Sequence, residues 1–258
     1  MTIILTTTHK TMKKSLLYSA IIMLLGLSFT KCTLEEKGDI PVHNRLIIRN
    51  AVTDVDGNKY DAVVLGKQVW MKSNLRTKHF RDGSPILNGG TDTFSFELPC
   101  YFQSTATPSI SNGLYYNWAA VNDPRALCPE GWHVSTDEEW AEMEKYVSSQ
   151  QQYVYGYESV NIAKALASQE GWKKYPEVGI PGHRPEANNA TEFTAVPVSS
   201  YYNSYHDGYY GKFAAFWAVS ENDPNEICFH YCIDHDSPIV HRNRADKMSS
   251  ISVRCIQD

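Results

Sequence analysis

The sequence predicts an α+β fold in which two helices pack on small, twisted antiparallel sheets joined by long loops. Short alternations of apolar and polar residues, in segments 59–65 and 251–255, are typical of strands with one buried face. One segment, which begins at Ser135 or Thr136, has the capping residues and apolar spacing of a helix. The composition agrees with a sheet-rich fold, because 16 Tyr, 9 Phe and 6 Trp suit half-buried sheet surfaces.

The first elements are predicted to be strands joined by tight turns. Residues 55–58 carry the Asp-Gly-Asn turn signal, strand 59–65 follows it, and a second turn leads into strand 68–71.

The same turn has a second interpretation. The spacing of Asp54, Asp56 and Asn58 resembles half of a calcium-binding loop. The twelfth position of such a loop requires Glu, and here it holds Leu65. A plain turn is therefore the favoured interpretation.

The clearest helix begins near residue 136. Ser135 or Thr136 supplies a capping hydroxyl, a Glu follows three positions later, and acidic residues occupy the first turn. Trp140, Met143 and Val147 then fall on one face.

Two further elements are predicted from periodicity. Residues 160–168 are expected to form a second, shorter helix with Val160, Ala163 and Leu166 as its apolar stripe. The chain is expected to end in a strand, in which Ile251, Val253 and Cys255 share one face.

The N-terminal region resembles a bacterial lipoprotein signal. Lys13 and Lys14 precede an apolar run, residues 15–29, that is too short for a comfortable membrane span, and Cys32 follows shortly after. This resemblance implies removal of residues 1–31 and diacylation of the Cys32 thiol. The alternative is an ordinary signal peptide with an incidental cysteine. Met12 gives a more compact signal start than Met1.

The residues after Cys32 add an expected location. Glu35 and Glu36 resemble the acidic export tag of Bacteroidetes surface lipoproteins. We therefore expect an outer-membrane lipoprotein exposed at the cell surface and held by membrane lipid through Cys32. Residues 32–50 are polar and are expected to form a flexible tether to a domain at 51–258.

The charge of the expected mature chain excludes one class of partner. The first 31 residues contain four lysines and no acidic residue, which leaves 20 basic against 29 acidic residues and a formal charge of −9. Nucleic-acid binding depends on clustered Lys and Arg that release counterions. We therefore expect no nucleic-acid partner.

An ordered set of motifs resembles a known family. The motifs, in chain order, are VTDVDGNKY (52–60), GKQVWM (66–71), NLRT (74–77), DGSPI (82–86), GLYYNWAAV (113–121), CPEGWHV (128–134), DEEW (137–140), FTA (193–195) and SVRC (252–255). Together they resemble the Fibrobacter succinogenes major paralogous domain, which is common in surface lipoproteins of Fibrobacteres and Bacteroidetes. The resemblance covers about residues 51–258 and implies no defined biochemical activity.

A more distant resemblance is to C-type-lectin-like folds and to the formylglycine-generating enzyme. It rests on Glu139 and Trp140 in the helix and on the Val-Arg-Cys ending at Cys255. Lectin-like folds join a cysteine before the first helix to one in the last strand. The resemblance therefore implies a disulfide between Cys128 and Cys255, which would be worth about 4–5 kcal/mol on the chain-entropy model.

Segment 226–234 has two interpretations, a half-buried strand without metal and a metal site. Cys228, His230 and Cys232 alternate onto one face of a predicted strand. Zinc or copper could use such ligands, and the formylglycine-generating enzyme binds copper through a cysteine pair spaced one residue wider. The default interpretation is a half-buried strand without metal, and we expect no cofactor.

The cysteines of this segment also limit disulfide pairing. Four residues of strand span about 13 Å, whereas a disulfide needs Cα atoms within about 7 Å. Cys228 and Cys232 therefore cannot pair with each other on a regular strand, although one of them could reach Cys100.

No catalytic motif supports an enzyme. The sequence lacks a phosphate-binding glycine loop, a nucleophile elbow and a zinc-protease motif. His133 has no nucleophile or acid within sequence reach and is interpreted as a structural histidine.

The favoured function is a surface-anchored, non-catalytic binding module for a glycan or a partner protein. Its contact surface is expected in the loops near 199–211 and 221–243, which are rich in aromatic, acidic and Asn residues. The alternatives are a structural or adhesin assembly component without a small ligand, and a metal-dependent cysteine oxidase. The candidate ligand-binding residues are Tyr201, Tyr202, Tyr205, Tyr209, Tyr210 and Trp217.

Overall fold

The computed structural model describes residues 47–90, 97–103, 112–197, 210–220 and 228–258. The expected signal segment, Cys32 and most of the expected tether lie outside these ranges. Within them, no helix is both long and apolar enough to cross a membrane.

The described residues form twelve strands and three α-helices. The strands are β1 Ile47–Thr53, β2 Lys59–Leu65, β3 Gln68–Met71, β4 Leu87–Asn88, β5 Cys100–Phe102, β6 Tyr115–Asn117, β7 Trp132–Val134, β8 Phe213–Ala218, β9 Cys228–Asp234, β10 Val240–Ala245, β11 Ser250–Ser252 and β12 Cys255–Gln257. The helices are α1 Trp118–Val121, α2 Asp137–Ser149 and α3 Ala163–Leu166, and a 3₁₀ turn covers Pro185–Ala187.

Two sheets organise the strands. The five-stranded sheet has the order β1-β2-β3-β12-β7, and the seven-stranded sheet has the order β10-β9-β8-β11-β6-β5-β4. The fold is therefore α+β and mostly sheet, as predicted. The expectation of purely antiparallel sheets is wrong, because β8 pairs with β11 and β4 with β5 in parallel.

The first strand begins before the expected domain boundary. Ile47 pairs with Val63 and Ile48 with Ala62, so the strand completes the edge of the five-stranded sheet. At the bulge that follows, Asn50 has a φ of 47° and its N–H donates to Asp61 Oδ1 at 2.9 Å. The prediction of a flexible tether through residue 50 is therefore wrong for residues 47–50.

In the turn after β1, the carboxylate of Asp54 accepts hydrogen bonds from neighbouring residues of the same turn and strand. Asp54 Oδ1 accepts from the backbone N–H groups of Asp56 and Asn58 at 3.0 and 2.9 Å. Asp54 Oδ2 accepts from Asn58 Nδ2 and from the Tyr60 hydroxyl. The carboxylate is saturated by the turn, which agrees with a plain turn rather than half a calcium loop.

The long helix α2 begins as its sequence predicts. Thr136 is the N-cap, its hydroxyl accepts from Glu139 N, and Glu139 Oε2 accepts from Thr136 N. This reciprocal pair satisfies two N–H groups that the first turn leaves open. Trp140, Met143 and Val147 are buried, as predicted.

The two shorter helices differ from expectation. The second predicted helix, 160–168, shrinks to the single turn Ala163–Leu166, and Val160 is exposed. Ile162 supplies no capping side chain, and Ala167 turns extended to form a bridge with Ala195. Helix α1 was not predicted.

The main core lies where α2 meets both sheets. It contains Trp70 of the smaller sheet, Phe216 and Tyr231 of the larger one, and Trp140 of the helix. Trp140 stacks on Tyr231 with ring centroids 4.7 Å apart and planes 8° apart. Such a ring pair contributes about 0.5–1.5 kcal/mol beyond its buried area.

The C-terminal segment passes from one sheet to the other. The single strand predicted over 251–255 is two strands, because β11 belongs to the larger sheet and β12 to the smaller one. The predicted disulfide is confirmed: Cys128 and Cys255 are bonded, with Cα atoms 6.1 Å apart and a sequence separation of 127. It therefore fixes the chain before α2 to the last strand.

Candidate binding surface

Several loops meet where β8 begins and where β9 turns into β10. Backbone hydrogen bonds run from Tyr175 N to Gly182 O, from Gly182 N to His235 O and from His235 N to Lys212 O, at 3.0, 2.7 and 2.7 Å. A further bond, from Ala163 N to Pro238 O, attaches the start of α3 to the β9–β10 turn. These bonds tie four separate segments together beyond the end of the sheet.

Exposed apolar side chains concentrate on these loops. Of the eight exposed large hydrophobic side chains in the described residues, five lie here: Tyr157, Val160, Tyr175, Val178 and Tyr210, with 84, 55, 39, 43 and 42% exposure. We call this set the aromatic end. Single exposed apolar residues need no explanation, but five of them on loops that backbone hydrogen bonds join make this end the candidate interaction surface.

A buried lysine fixes the loop beneath the aromatic end. Lys164 on α3 is 4% exposed, and its Nζ donates to His183 O at 2.5 Å, to Asn188 Oδ1 at 2.6 Å and to Arg184 O at 3.2 Å. Asn188 Nδ2 in turn donates to Ser168 O and Pro181 O. The hydrogen bonds offset the cost of burying the ammonium group and hold residues 180–188 against α3.

Polar groups lie in and beside the β9–β10 turn. His241 Nε2 is 2.8 Å from Ser237 Oγ and 3.6 Å from Asp234 Oδ2. The Cys232 thiol donates to Asp234 Oδ1 at 3.5 Å. Burial raises the pKa values of Asp234 and of the Cys232 thiol, so this thiol is a weak nucleophile.

The predicted ligand-binding residues fall into three groups. Tyr210 is exposed and belongs to the aromatic end. Tyr201, Tyr202, Tyr205 and Tyr209 lie outside the described residues. Trp217 is fully buried, its Nε1 donates to Tyr116 O at 2.7 Å and its ring packs against Trp118. Assigning Trp217 to a binding surface is therefore wrong, because its position on the central strand β8 places it in the core.

The cysteine and histidine residues of β9 do not assemble a metal site. Within the described ranges, no group of three or more His, Cys, Asp or Glu side chains is placed to hold a metal ion. Cys228 and Cys232 stand at separate positions of a regular strand, about 13 Å apart. His230 Nδ1 is buried and has no hydrogen-bond partner in the part of the chain that the structure describes, and burial lowers the pKa of this histidine.

The suggested pairing of Cys100 with a cysteine of β9 is also wrong. Three strands, β8, β11 and β6, lie between β9 and β5, which carries Cys100. Four strand spacings amount to about 19 Å, far beyond disulfide reach.

His133 is held by two carboxylates. Its Nε2 is 2.8 Å from Glu139 Oε1, and its Nδ1 is 2.6 Å from Asp258 Oδ1. The hydrogen bond to Glu139, opposed by burial and assisted by Asp258, raises the pKa of His133 to about 9. The expectation that His133 has no acidic partner within sequence reach is therefore wrong, because Glu139 is only six residues away. The charged imidazole joins the capping box of α2 to the end of β12, which is a structural role.

Several motifs of the family resemblance converge on one buried cation. Arg254 is 0% exposed, Nη1 donates to Met71 O and Phe193 O, and Nη2 donates to Asn74 Oδ1 and Thr194 O. Its guanidinium carbon lies 4.4 Å from the centroid of the Phe193 ring. The motifs at 74–77, 193–195 and 252–255 are therefore joined in the frame of the fold.

Sequence reasoning missed Lys164 and the exposed rings of Tyr157 and Tyr175. Lys164 lies between two alanines in a short helix, which predicts an ordinary exposed lysine. The sequence around these two tyrosines differs little from the sequence around buried tyrosines such as Tyr153. Only the tertiary packing separates exposed from buried aromatic residues here.

Comparison with known proteins shows the family. No curated protein and no solved structure matches the chain. The family model described as the Fibrobacter succinogenes major domain matches residues 63–257, which is most of the chain. This protein is therefore a member of the Fibrobacter succinogenes major domain family.

Proposed function

We propose that this protein is a non-catalytic, surface-anchored lipoprotein that binds glycans through the aromatic end. The observation that carries the proposal is the concentration of Tyr157, Tyr175 and Tyr210 on loops that hydrogen bonds tie together. The expected lipid on Cys32 would supply the attachment to the outer membrane.

A glycan suits this surface chemically. Exposed tyrosine rings offer flat apolar faces with a polar edge, and sugars present apolar C–H faces together with hydroxyl groups. Asp236 and Ser237 follow His235, whose ring contacts Tyr175, and would supply oxygens for directional hydrogen bonds to a sugar. A few fixed polar groups among apolar walls are what small-ligand sites use.

Order in the loops favours binding as well. Lys164 fixes residues 180–188 from below, and the backbone bonds at Gly182 join this segment to Tyr175 and His235. A surface that is already ordered loses less conformational entropy when a ligand binds.

We further propose that the fold is C-type-lectin-like. The disulfide from Cys128, before α2, to Cys255, in the last strand, supports this proposal. An experimental structure compared with lectin-like domains tests it, and a different strand order around the disulfide would contradict it.

A glycan array tests the proposed function. The full chain, purified in detergent, should bind at least one glycan class. A variant with Tyr157→Ala and Tyr210→Ala should lose at least tenfold in affinity. Val55→Ala serves as the control, because Val55 is similarly exposed but lies in the β1–β2 turn.

Two other outcomes would redirect the assignment. Binding to a surface protein that the double variant abolishes, without any glycan binding, would favour a protein partner. If the parent protein binds no glycan, and the double variant still takes part in a cell-surface assembly as the parent does, a structural or adhesin component would be favoured.

A further inference from the structure

We propose that Tyr175 and Asp236 form a preformed subsite for a neutral pyranose sugar within the aromatic end. This inference rests on the proposed glycan-binding function and assigns one ring and one carboxylate to it. Tyr175 would stack on the sugar face, and Asp236 would accept hydrogen bonds from its hydroxyls.

The position of Tyr175 is fixed by its own backbone. Tyr175 N donates to Gly182 O, and Gly182 N donates to His235 O. The preceding turn is held too, because Lys173 N donates to Gly211 O at 2.7 Å. The tyrosine therefore projects from a hydrogen-bonded platform although it lies in a loop.

Gly182 makes this platform possible. A Cβ at residue 182 would lie 2.6 Å from both His235 O and Lys173 O, and 2.9 Å from the Tyr175 Cβ. Two of these neighbours are backbone atoms, which cannot move aside cheaply. Only glycine allows Tyr175 to lie this close to the β9–β10 turn.

The ring itself is oriented by a buried imidazole. The ring centroids of Tyr175 and His235 are 5.6 Å apart with planes at 82°, an edge-to-face contact. His235 is 8% exposed, whereas Tyr175 is 39% exposed, so the tyrosine covers the histidine and keeps part of its ring open to solvent. A stacking surface needs this combination of fixed orientation and open area.

The carboxylate stands beside the same imidazole. Asp236 Oδ1 is 3.4 Å from His235 Nδ1, and the Asp236 side chain is 46% exposed. One histidine therefore contacts both the ring and the carboxylate. Sugar hydroxyls are hydrogen-bond donors that a carboxylate can accept, and the negative charge disfavours an anionic sugar at this position.

Calorimetric titration of the full chain tests the subsite. The probes are neutral tetraoses of β-1,4-linked glucose, xylose, mannose and N-acetylglucosamine, with a galacturonate oligomer for comparison. A neutral probe should bind more tightly than the galacturonate. Tyr175→Ala should weaken that binding at least tenfold, Tyr175→Phe should stay within threefold of the parent, and Asp236→Asn should weaken it about fivefold.

The variants separate failure of the subsite from failure of the function. If a neutral probe binds, is lost in the Tyr157→Ala and Tyr210→Ala variant, and is unaffected by Tyr175→Ala, the subsite is wrong and the function stands. If no neutral probe binds the parent protein but the glycan array shows binding of another glycan class, the subsite for a neutral pyranose is wrong and the function stands; if neither the array nor any probe shows binding, both fail. Tighter binding of the galacturonate would overturn the assignment to neutral sugars.

Discussion

Glu144 on helix α2 should destabilise the fold above neutral pH. Its Oε1 is buried without a hydrogen-bond partner among the described residues. Burial, and then the negative charge of Asp137 seven residues earlier on the same helix face, raises the pKa of Glu144 to about 7. The carboxyl is therefore favoured in its neutral form in the folded protein.

The sign and size of the effect follow from linkage. The pKa of Glu144 in the folded protein lies above the ordinary glutamate value of 4.5, so the folded state binds the proton more tightly than the unfolded state. Stability is lost as the pH rises from about 4.5 through about 7, and the loss is complete above this range. A rise in pKa from 4.5 to about 7 corresponds to about 3 kcal/mol, which partial solvent screening reduces to about 2 kcal/mol.

Urea unfolding at pH 5 and pH 8 measures the pH-dependent contribution of Glu144 to the free energy of unfolding. Glu144→Gln removes the charge and keeps the shape, so its stability relative to the parent should improve by about 2 kcal/mol between the two pH values. Comparing two pH values cancels any constant cost of the buried amide. Glu142→Gln, an exposed neighbour on the same helix, should show no such change. An equal stability difference at both pH values would refute the reasoning.

Three further predictions concern the frame and the anchor. Replacing both Cys128 and Cys255 by Ala should lower the free energy of unfolding by about 4–5 kcal/mol in urea titrations, because the disulfide closes a long loop between residues 127 positions apart in sequence. Since His133 has a folded pKa of about 9, His133→Gln should cost stability at pH 6, with the difference from the parent shrinking as pH rises through 9. An imidazole that titrates near pH 6.5 by NMR would contradict this. Cys32→Ala should release the protein from the membrane fraction and abolish palmitate labelling, and persistent labelling would disprove lipidation at that residue.

The elements that the sequence predicts well are those with local causes. The turn after β1 is set by Asp54, whose carboxylate accepts from residues only two to six positions away. The start of α2 is set by Thr136 and Glu139, which bond to each other. Such interactions join residues that are close together in sequence, so they can be predicted without knowledge of the rest of the fold.

The elements that the sequence predicts poorly depend on distant partners. Alternation over 251–255 fits one strand, but Leu75 N bonds to Val253 O and the guanidinium of Arg254 bonds to Met71, Phe193 and Thr194. Because residues 253 and 254 bond to these partners, the chain leaves the larger sheet after β11 and enters the smaller sheet at β12. Periodicity reports which residues share a face and does not report which sheet receives them.

The candidate site shows the same limit for aromatic residues. Trp217 and Tyr210 stand seven residues apart, and both suit a binding surface by composition. Strand β8 runs between β9 and β11, so Trp217 is buried, whereas Tyr210 precedes the strand and remains exposed. The position of each residue relative to β8, rather than its chemistry, decides which ring is exposed.

The family motifs and the proposed ligand-binding loops occupy different parts of this chain. The motifs at 74–77, 193–195 and 252–255 meet at the buried guanidinium of Arg254, and the motif at 128–134 is tied to the last strand by the disulfide. These contacts stabilise the frame. The loops at 153–162 and 172–182 carry four of the five residues of the aromatic end and contain none of the motifs that mark the resemblance. Tyr175→Ala is therefore expected to weaken the proposed glycan binding without touching the residues that define the family, whereas replacing Arg254 would remove the hydrogen bonds that join three of the motifs.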